Sequence, residues 1–123
     1  MKKEAKFNTF FNHWLKEVYK KTGAYELKQV EHMMPFDAVV PHQILALQNV
    51  RHNTFVWKIP DAGYQNPFDT FCLTEMPAYV VIKFKSFFVL IDVDTFVLEK
   101  KRSARKSLLA SRAQEIATVT VRL

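Results

Sequence analysis

Glu26 and Lys28 stand two residues apart in "AYELKQV" (24–30), a stretch that reads as a β-strand. Strand side chains alternate between faces, so an acid and a base at i and i+2 share one face while Leu27 turns to the other. Such a pair suits phosphodiester hydrolysis. Hard divalent cations take oxygen ligands. A bound cation also lowers the pKa of its water, so that hydroxide is available near neutrality. A nearby ammonium stabilises the charge that builds on the phosphate. One carboxylate is too few to hold the ion, and "KIPDAGYQNPFDTF" (58–71) offers two more, Asp61 and Asp69. Asp69 opens a strand-like run and is expected as the second ligand. Asp61, in a Pro-Asp turn, is either a further ligand or a turn residue bonding the following amides. Gln43, early in a helical stretch, is expected to orient water or phosphate. The plain alternative for Glu26 and Lys28 is a solvated strand-face pair, worth little to stability.

The elements that must position these residues follow from periodicity. Phe7, Phe10, Phe11, Trp14, Leu15 and Val18 recur at three- and four-residue spacing, which predicts an amphipathic first helix that Gly23 ends. Strand 24–30 follows, then a loop, then a helix starting at Pro41, whose missing N–H costs nothing in a first turn. "TFVWKI" and "FDTFCLT" predict two strands around the turn-rich segment that contains Asp61. "PAYVVIKFK" and "FFVLIDVD" predict two more, joined tightly at Lys85–Ser86. On this reading Asp92 and Asp94 end a strand and share a face, as solvent-facing or capping residues or as a second metal pair. "EKKRSARKS" is a polar basic segment, "LLASRAQEIA" a short last helix and "TVTVRL" an edge strand. The result is an α/β or α+β fold with a central mixed sheet flanked by helices.

Composition narrows the partners. The 123 residues suit one domain, and 49% apolar content with eleven phenylalanines is enough for a core. A net charge of +6 and a pI near 9.5 favour an anionic partner, nucleic acid first. Six basic residues and no acidic one lie between Lys100 and Arg112: Lys100, Lys101, Arg102, Arg105, Lys106 and Arg112. This segment reads either as a mobile linker or as a grip on DNA phosphates, with first-helix lysines adding to the grip. With only Gly23 and Gly63, no glycine-rich phosphate loop is available. The single Cys72 cannot pair internally, and the four histidines lack metal-ligand spacing. The start "MKKEAKFNTFFNHW" has no uninterrupted apolar run, and Lys83 and Lys85 break the longest one, so a soluble cytoplasmic protein without a membrane span is expected.

"YELK", "PHQILAL", "KIPD…NPFD" and "AYVVIKF" together resemble the PD-(D/E)xK nuclease superfamily, closest in flavour to small Holliday-junction resolvase-like endonucleases, including phage ones. The resemblance spans roughly Glu4 to Asp94. It implies a restriction-endonuclease-like fold, Mg²⁺- or Mn²⁺-dependent hydrolysis of DNA strands at branched sites, and frequently a homodimer. Carried over by position, Glu26 and Asp69 would ligate metal, Lys28 would assist the nucleophile, and Gln43 would match a helix glutamine of some relatives. Glu4 would match a glutamate near the start of the first helix. The order departs from the usual pattern, because Asp69 follows the acid-x-Lys strand. Either the hairpin 54–74 is inserted after the second helix and still lies beside strand 24–30, or Lys83-Phe84-Lys85 is the motif strand, with lysine where an acid is needed. The first keeps both carboxylates and is preferred. Two other functions stay open: a nucleic-acid-binding module without catalysis, and a phage-encoded interaction or inhibitor protein whose basic face meets an acidic partner.

Overall fold

The computed structural model describes residues 2–20, 23–52, 54–58, 70–74 and 76–123, with side chains over 6–20, 23–52 and 76–123. Two central strands organise it, β5 (Ala78–Lys83) and β6 (Phe87–Asp92), both built from near-continuous apolar sequence and buried on both faces. The sheet order is β1-β5-β6-β8, with β1 (Ala24–Gln29) at one edge and β8 (Val119–Arg122) at the other. β1 runs parallel to β5, while β5–β6 and β6–β8 are antiparallel, so the sheet is mixed. The alternation of β8, half-buried then exposed, fits an edge with one wet face.

Period-two alternation divides the core into two layers. Tyr79, Val81, Phe88 and Leu90 face α1 (Lys2–Trp14), whose Phe7, Phe11 and Trp14 fill that side with Tyr25 and Leu27 packed alongside. Val80, Ile82, Val89 and Ile91 face the opposite way. There they meet Leu47 of α2 (Pro41–His52) and Val93 and Phe96 of α3 (Val93–Arg102). Phe88 is the hinge pin of the first layer: its buried ring meets Phe7, Phe11 and Trp14 edge-on at 5.1–5.9 Å.

The first helix departs from its expected stripe. After Trp14 it widens into a π-helical turn, Leu15–Tyr19. The extra residue brings Tyr19 onto Trp14, stacked at 5.1 Å and 12°, and turns Val18 out to 67% exposure. The helix ends on Lys20 in the left-handed conformation (φ 56°). Gly23 is needed for another reason: a Cβ there would lie 2.4 Å from the Pro77 carbonyl oxygen, where Ala24 N–H bonds that same oxygen at 2.9 Å.

Between α2 and β5 lie β3 (Thr54–Lys58) and β4 (Thr70–Thr74), an antiparallel pair forming its own two-stranded sheet. The described part of this hairpin is therefore not hydrogen-bonded to β1, whose ladder partner is β5. A second small ribbon was not foreseen: β2 (Met33–Pro35) pairs with β7 (Ser107–Leu109). Nor was α3, which begins where a strand was expected to continue to Asp94. Asp92 instead caps this helix, its Oδ2 accepting from Asp94 N–H at 3.0 Å. The basic segment consequently contains the last turn of α3, a bend and β7 rather than a free linker, and α4 (Ala110–Ile116) leads to β8. No described helix is long and apolar enough to cross a membrane.

Candidate active site and basic surface

β1 holds Glu26 and Lys28 opposite Val80 and Ile82 of β5. Because Tyr25 and Leu27 pack toward α1, alternation puts the Glu26 and Lys28 side chains on the other face, the one covered by α2. The acid and the base do share a face, as their spacing required. Both are half-buried, and neither side chain makes a hydrogen bond or ion pair among the described residues. On an edge strand this leaves a carboxylate and an ammonium available to a ligand.

Other expected site residues fare differently. Gln43 Oε1 accepts from Val40 N–H at 3.1 Å, the reciprocal half of a capping box at the start of α2. Its amide oxygen is thus committed to the helix end, not turned toward a reacting phosphate. Asp61 and Asp69 lie outside the described residues, as does the Glu4 side chain. Lys83, in the alternative motif, ends β5 with its Nζ 3.4 Å from the Phe84 carbonyl oxygen, and Phe84 is buried between it and exposed Lys85. Among the described residues no group of three or more His, Cys, Asp or Glu side chains is arranged to hold a metal ion. Asp92 and Asp94 are each engaged by a basic residue of α2. Asp92 Oδ1 accepts from Arg51 Nε at 3.2 Å, and Asp94 Oδ2 lies 2.7 Å from His52 Nε2, so the two acids tie the end of α2 to the start of α3.

The six basic residues split into two sets. Lys100 Nζ lies 3.1 Å from Asp37 Oδ1. Arg112 grips Glu99 with two bonds, Nε to Oε2 at 2.9 Å and Nη2 to Oε1 at 3.0 Å, and reaches Glu115 at 3.6 Å. The fork holds the Glu99 carboxyl below the usual carboxylate range and raises the Arg112 guanidinium in turn. A gap without acids in sequence is thus crossed in space by Asp37, Glu99 and Glu115. Lys101, Arg105 and Lys106 remain exposed without a carboxylate partner among the described residues, while exposed Arg102 adds its charge to the field on Glu99. The bend that holds Arg105 and Lys106 is fixed by Ser103 Oγ, which accepts from Arg105 N–H at 3.1 Å.

Two features escaped the sequence. A groove of about 470 Å³ runs between α1 and the open edge of β1, lined by Phe7, Asn8, Asn12 and β1 itself. Asn8 and Asn12 are spaced i, i+4 on the polar side of the helix, which was the available signal. In this groove wall Gln29 buries its Oε1 without a hydrogen-bond donor among the described residues. The second feature is a tyrosine cluster. Tyr25 and Tyr79 stack at 5.7 Å, and Tyr19 and Tyr79 hydroxyls lie 3.4 Å apart. Burial, with Tyr19 nearby, pushes Tyr25 up to about 12, and burial with the Tyr19 hydrogen bond raises Tyr79 further.

No family model, curated protein or solved structure matches this chain.

Proposed function

We propose that the chain is a divalent-metal-dependent DNA endonuclease of the restriction-endonuclease-like kind, with Glu26 and Lys28 on its reacting face. The observation that supports this most is the unengaged carboxylate and ammonium on one face of β1, held by the ladder to β5 and anchored from behind by Leu27. Their Cα atoms are about 7 Å apart, two residues of strand rise, so the two head groups can meet one phosphate. Glu26 would supply one oxygen to Mg²⁺ or Mn²⁺ and Asp69 a second, with Asp61 as a third candidate. Glu26 alone does not make a metal site, so the ligand set rests on those two acids joining it. When bound, such an ion supplies hydroxide near neutrality and polarises the phosphoryl oxygen. Lys28 would stabilise the charge gathering on the phosphate, and the exposed cations beyond α3 would hold flanking phosphates without reading sequence. Branched DNA is the substrate class the family resemblance implies, and a homodimer would present two such sites for paired cuts.

The test is Mg²⁺- or Mn²⁺-dependent cleavage of a four-way junction and a linear duplex. Glu26→Gln and Lys28→Ala should abolish product while DNA affinity stays within about twofold of the parent. Undiminished cutting by both variants would refute the reading. A second reading, a DNA-binding module without hydrolysis, draws on the capping role of Gln43. It expects salt-sensitive binding that divalent ions do not alter, and no nicked product from the parent.

A further inference from the structure

We infer that a DNA backbone lies along the outside of the β2–β7 ribbon, anchored at one end by Lys85 and Arg122 and at the other by Arg105 and Lys106. This rests on the DNA reading above and names the surface that would hold the substrate.

The ribbon lies on the same side of the sheet as Glu26 and Lys28. Its inward pair, Met34 and Leu108, is buried in the layer shared with α2 and α3. The first-helix lysines expected to join the grip, Lys6 of α1, Lys16 of its π turn and Lys20 at the turn's end, belong to the element over the opposite face.

Backbone hydrogen bonds fix the two anchors relative to one another. Lys85 N–H bonds Glu31 O at 3.2 Å, Ala110 N–H bonds His32 O at 3.0 Å, and Phe36 N–H bonds Lys106 O at 3.0 Å. Segment 31–36 is thus a strut with the β5–β6 turn at one end and the basic bend at the other. Arg122 joins the first end: it pairs with Phe87, and Leu123 N–H bonds Ser86 O at 3.0 Å. Five residue steps, three of them in β2, hold the two ends of the strut no more than about 17 Å apart along the backbone. Both ends can therefore meet phosphates of one DNA strand, whose charges recur every ~3.4 Å along the helix axis.

The electrostatics agree. Lys85, Arg122, Arg105 and Lys106 are all exposed, and none is paired with a carboxylate among the described residues. Between the anchors the ribbon shows Met33, at 51% exposure, and Pro35 to solvent. Asp37, just beyond, is neutralised by Lys100, and Glu31 at the Lys85 end is the one acid on the strut. A polyanion meeting this strip gains two pairs of cations at a fixed separation. It need not break the Lys100 and Arg112 ion pairs to do so.

The experiment is fluorescence anisotropy of a labelled 20-bp duplex without divalent ion, titrated across salt, with thermal melts confirming that each variant folds. The double variants Lys85→Gln/Arg122→Gln and Arg105→Gln/Lys106→Gln should each reduce the slope of log K against log salt by about 1.8, two contacts at roughly 0.9. The triple variant Lys6→Gln/Lys16→Gln/Lys20→Gln should leave the slope within about 0.5 of the parent. A parental slope retained by Lys85→Gln/Arg122→Gln, while Arg105→Gln/Lys106→Gln flattens it, would overturn the track and leave DNA binding standing. Equal flattening by the α1 triple would also overturn it. No parental binding at about 150 mM salt would instead defeat the DNA reading beneath it.

Discussion

Asp92 performs two tasks with two oxygens, and substitution can separate them. Its Oδ2 caps α3 through Asp94 N–H, and its Oδ1 receives Arg51 Nε from the last turn of α2. Loss of an N-cap costs about 1 kcal/mol, with a range of about 0.5–2. Its charge at a helix start adds about 0.3–1 kcal/mol. The ion pair, with Arg51 38% and Asp92 22% exposed, is worth roughly 0.2–1 kcal/mol. Asp92→Ala should therefore destabilise by about 1–4 kcal/mol, or about 4–16 °C in Tm for a chain of this size. Asp92→Asn keeps an oxygen for the cap and should cost only about 0.5–2 kcal/mol. Arg51→Gln should cost roughly 0.2–1 kcal/mol. Combined with Asp92→Asn it should fall short of the sum by about 0.5 kcal/mol, because the pair can be lost only once. Urea and thermal melts of the parent and the four variants measure all of this. If Asp92→Asn is as damaging as Asp92→Ala, the cap is not what Asp92 provides. A loss under about 0.5 kcal/mol for Asp92→Ala would refute both assignments.

Two further predictions concern the site and its surroundings. Gln43→Ala should lower stability by about 0.5–1.5 kcal/mol through its cap, whereas Gln43→Glu keeps the acceptor and places a negative charge where the α2 dipole favours it. Gln43→Glu should therefore melt no lower than the parent, and a Gln43→Ala variant that loses cleavage at unchanged Tm would restore the expected role in orienting water. The phenols of half-buried Tyr25 and buried Tyr79 give a high-pH limit. Folding favours their protonated forms, so their contribution is full below roughly pH 10, the ordinary tyrosine value, and is lost as pH rises through the raised values. Phenolate absorbance from these residues should therefore rise together with loss of the circular dichroism signal. Ionisation of every tyrosine near pH 10 with the fold intact would contradict the burial account.

Much of the fold was readable because one force dominated locally. The continuous apolar runs of β5 and β6 and the Phe7–Phe11–Trp14 spacing of α1 each announce a buried surface. Glu26 and Lys28 were readable as a pair because strand alternation leaves no other arrangement. What failed was punctuation. "LIDVDTFVLEKKR" passes from strand to helix without glycine or proline, and its signals were Asp92 as a cap and the Val93–Phe96 spacing, obscured by the β-branched run before them. Gly23 resembled a helix stop, yet the stop is at Lys20, and the glycine answers to Pro77, far away in sequence. The ribbon β2–β7 has three residues per strand, too few for periodicity to register. The partners of Lys100 and Arg112 are tertiary facts, since Asp37 lies more than sixty positions before the lysine it meets.

The parallel pairing of β1 with β5 sets an order of events during synthesis. Ala24 needs Ala78 as its ladder neighbour, so the first strand leaves the ribosome with its template not yet translated. At about 5–20 residues per second, the interval lasts several seconds. During it the aromatic side of α1 has no Val81 or Phe88 to cover it. The nascent chain must keep that oily helix out of trouble until the middle of the sheet arrives, and only then can the carboxylate and the ammonium be presented together.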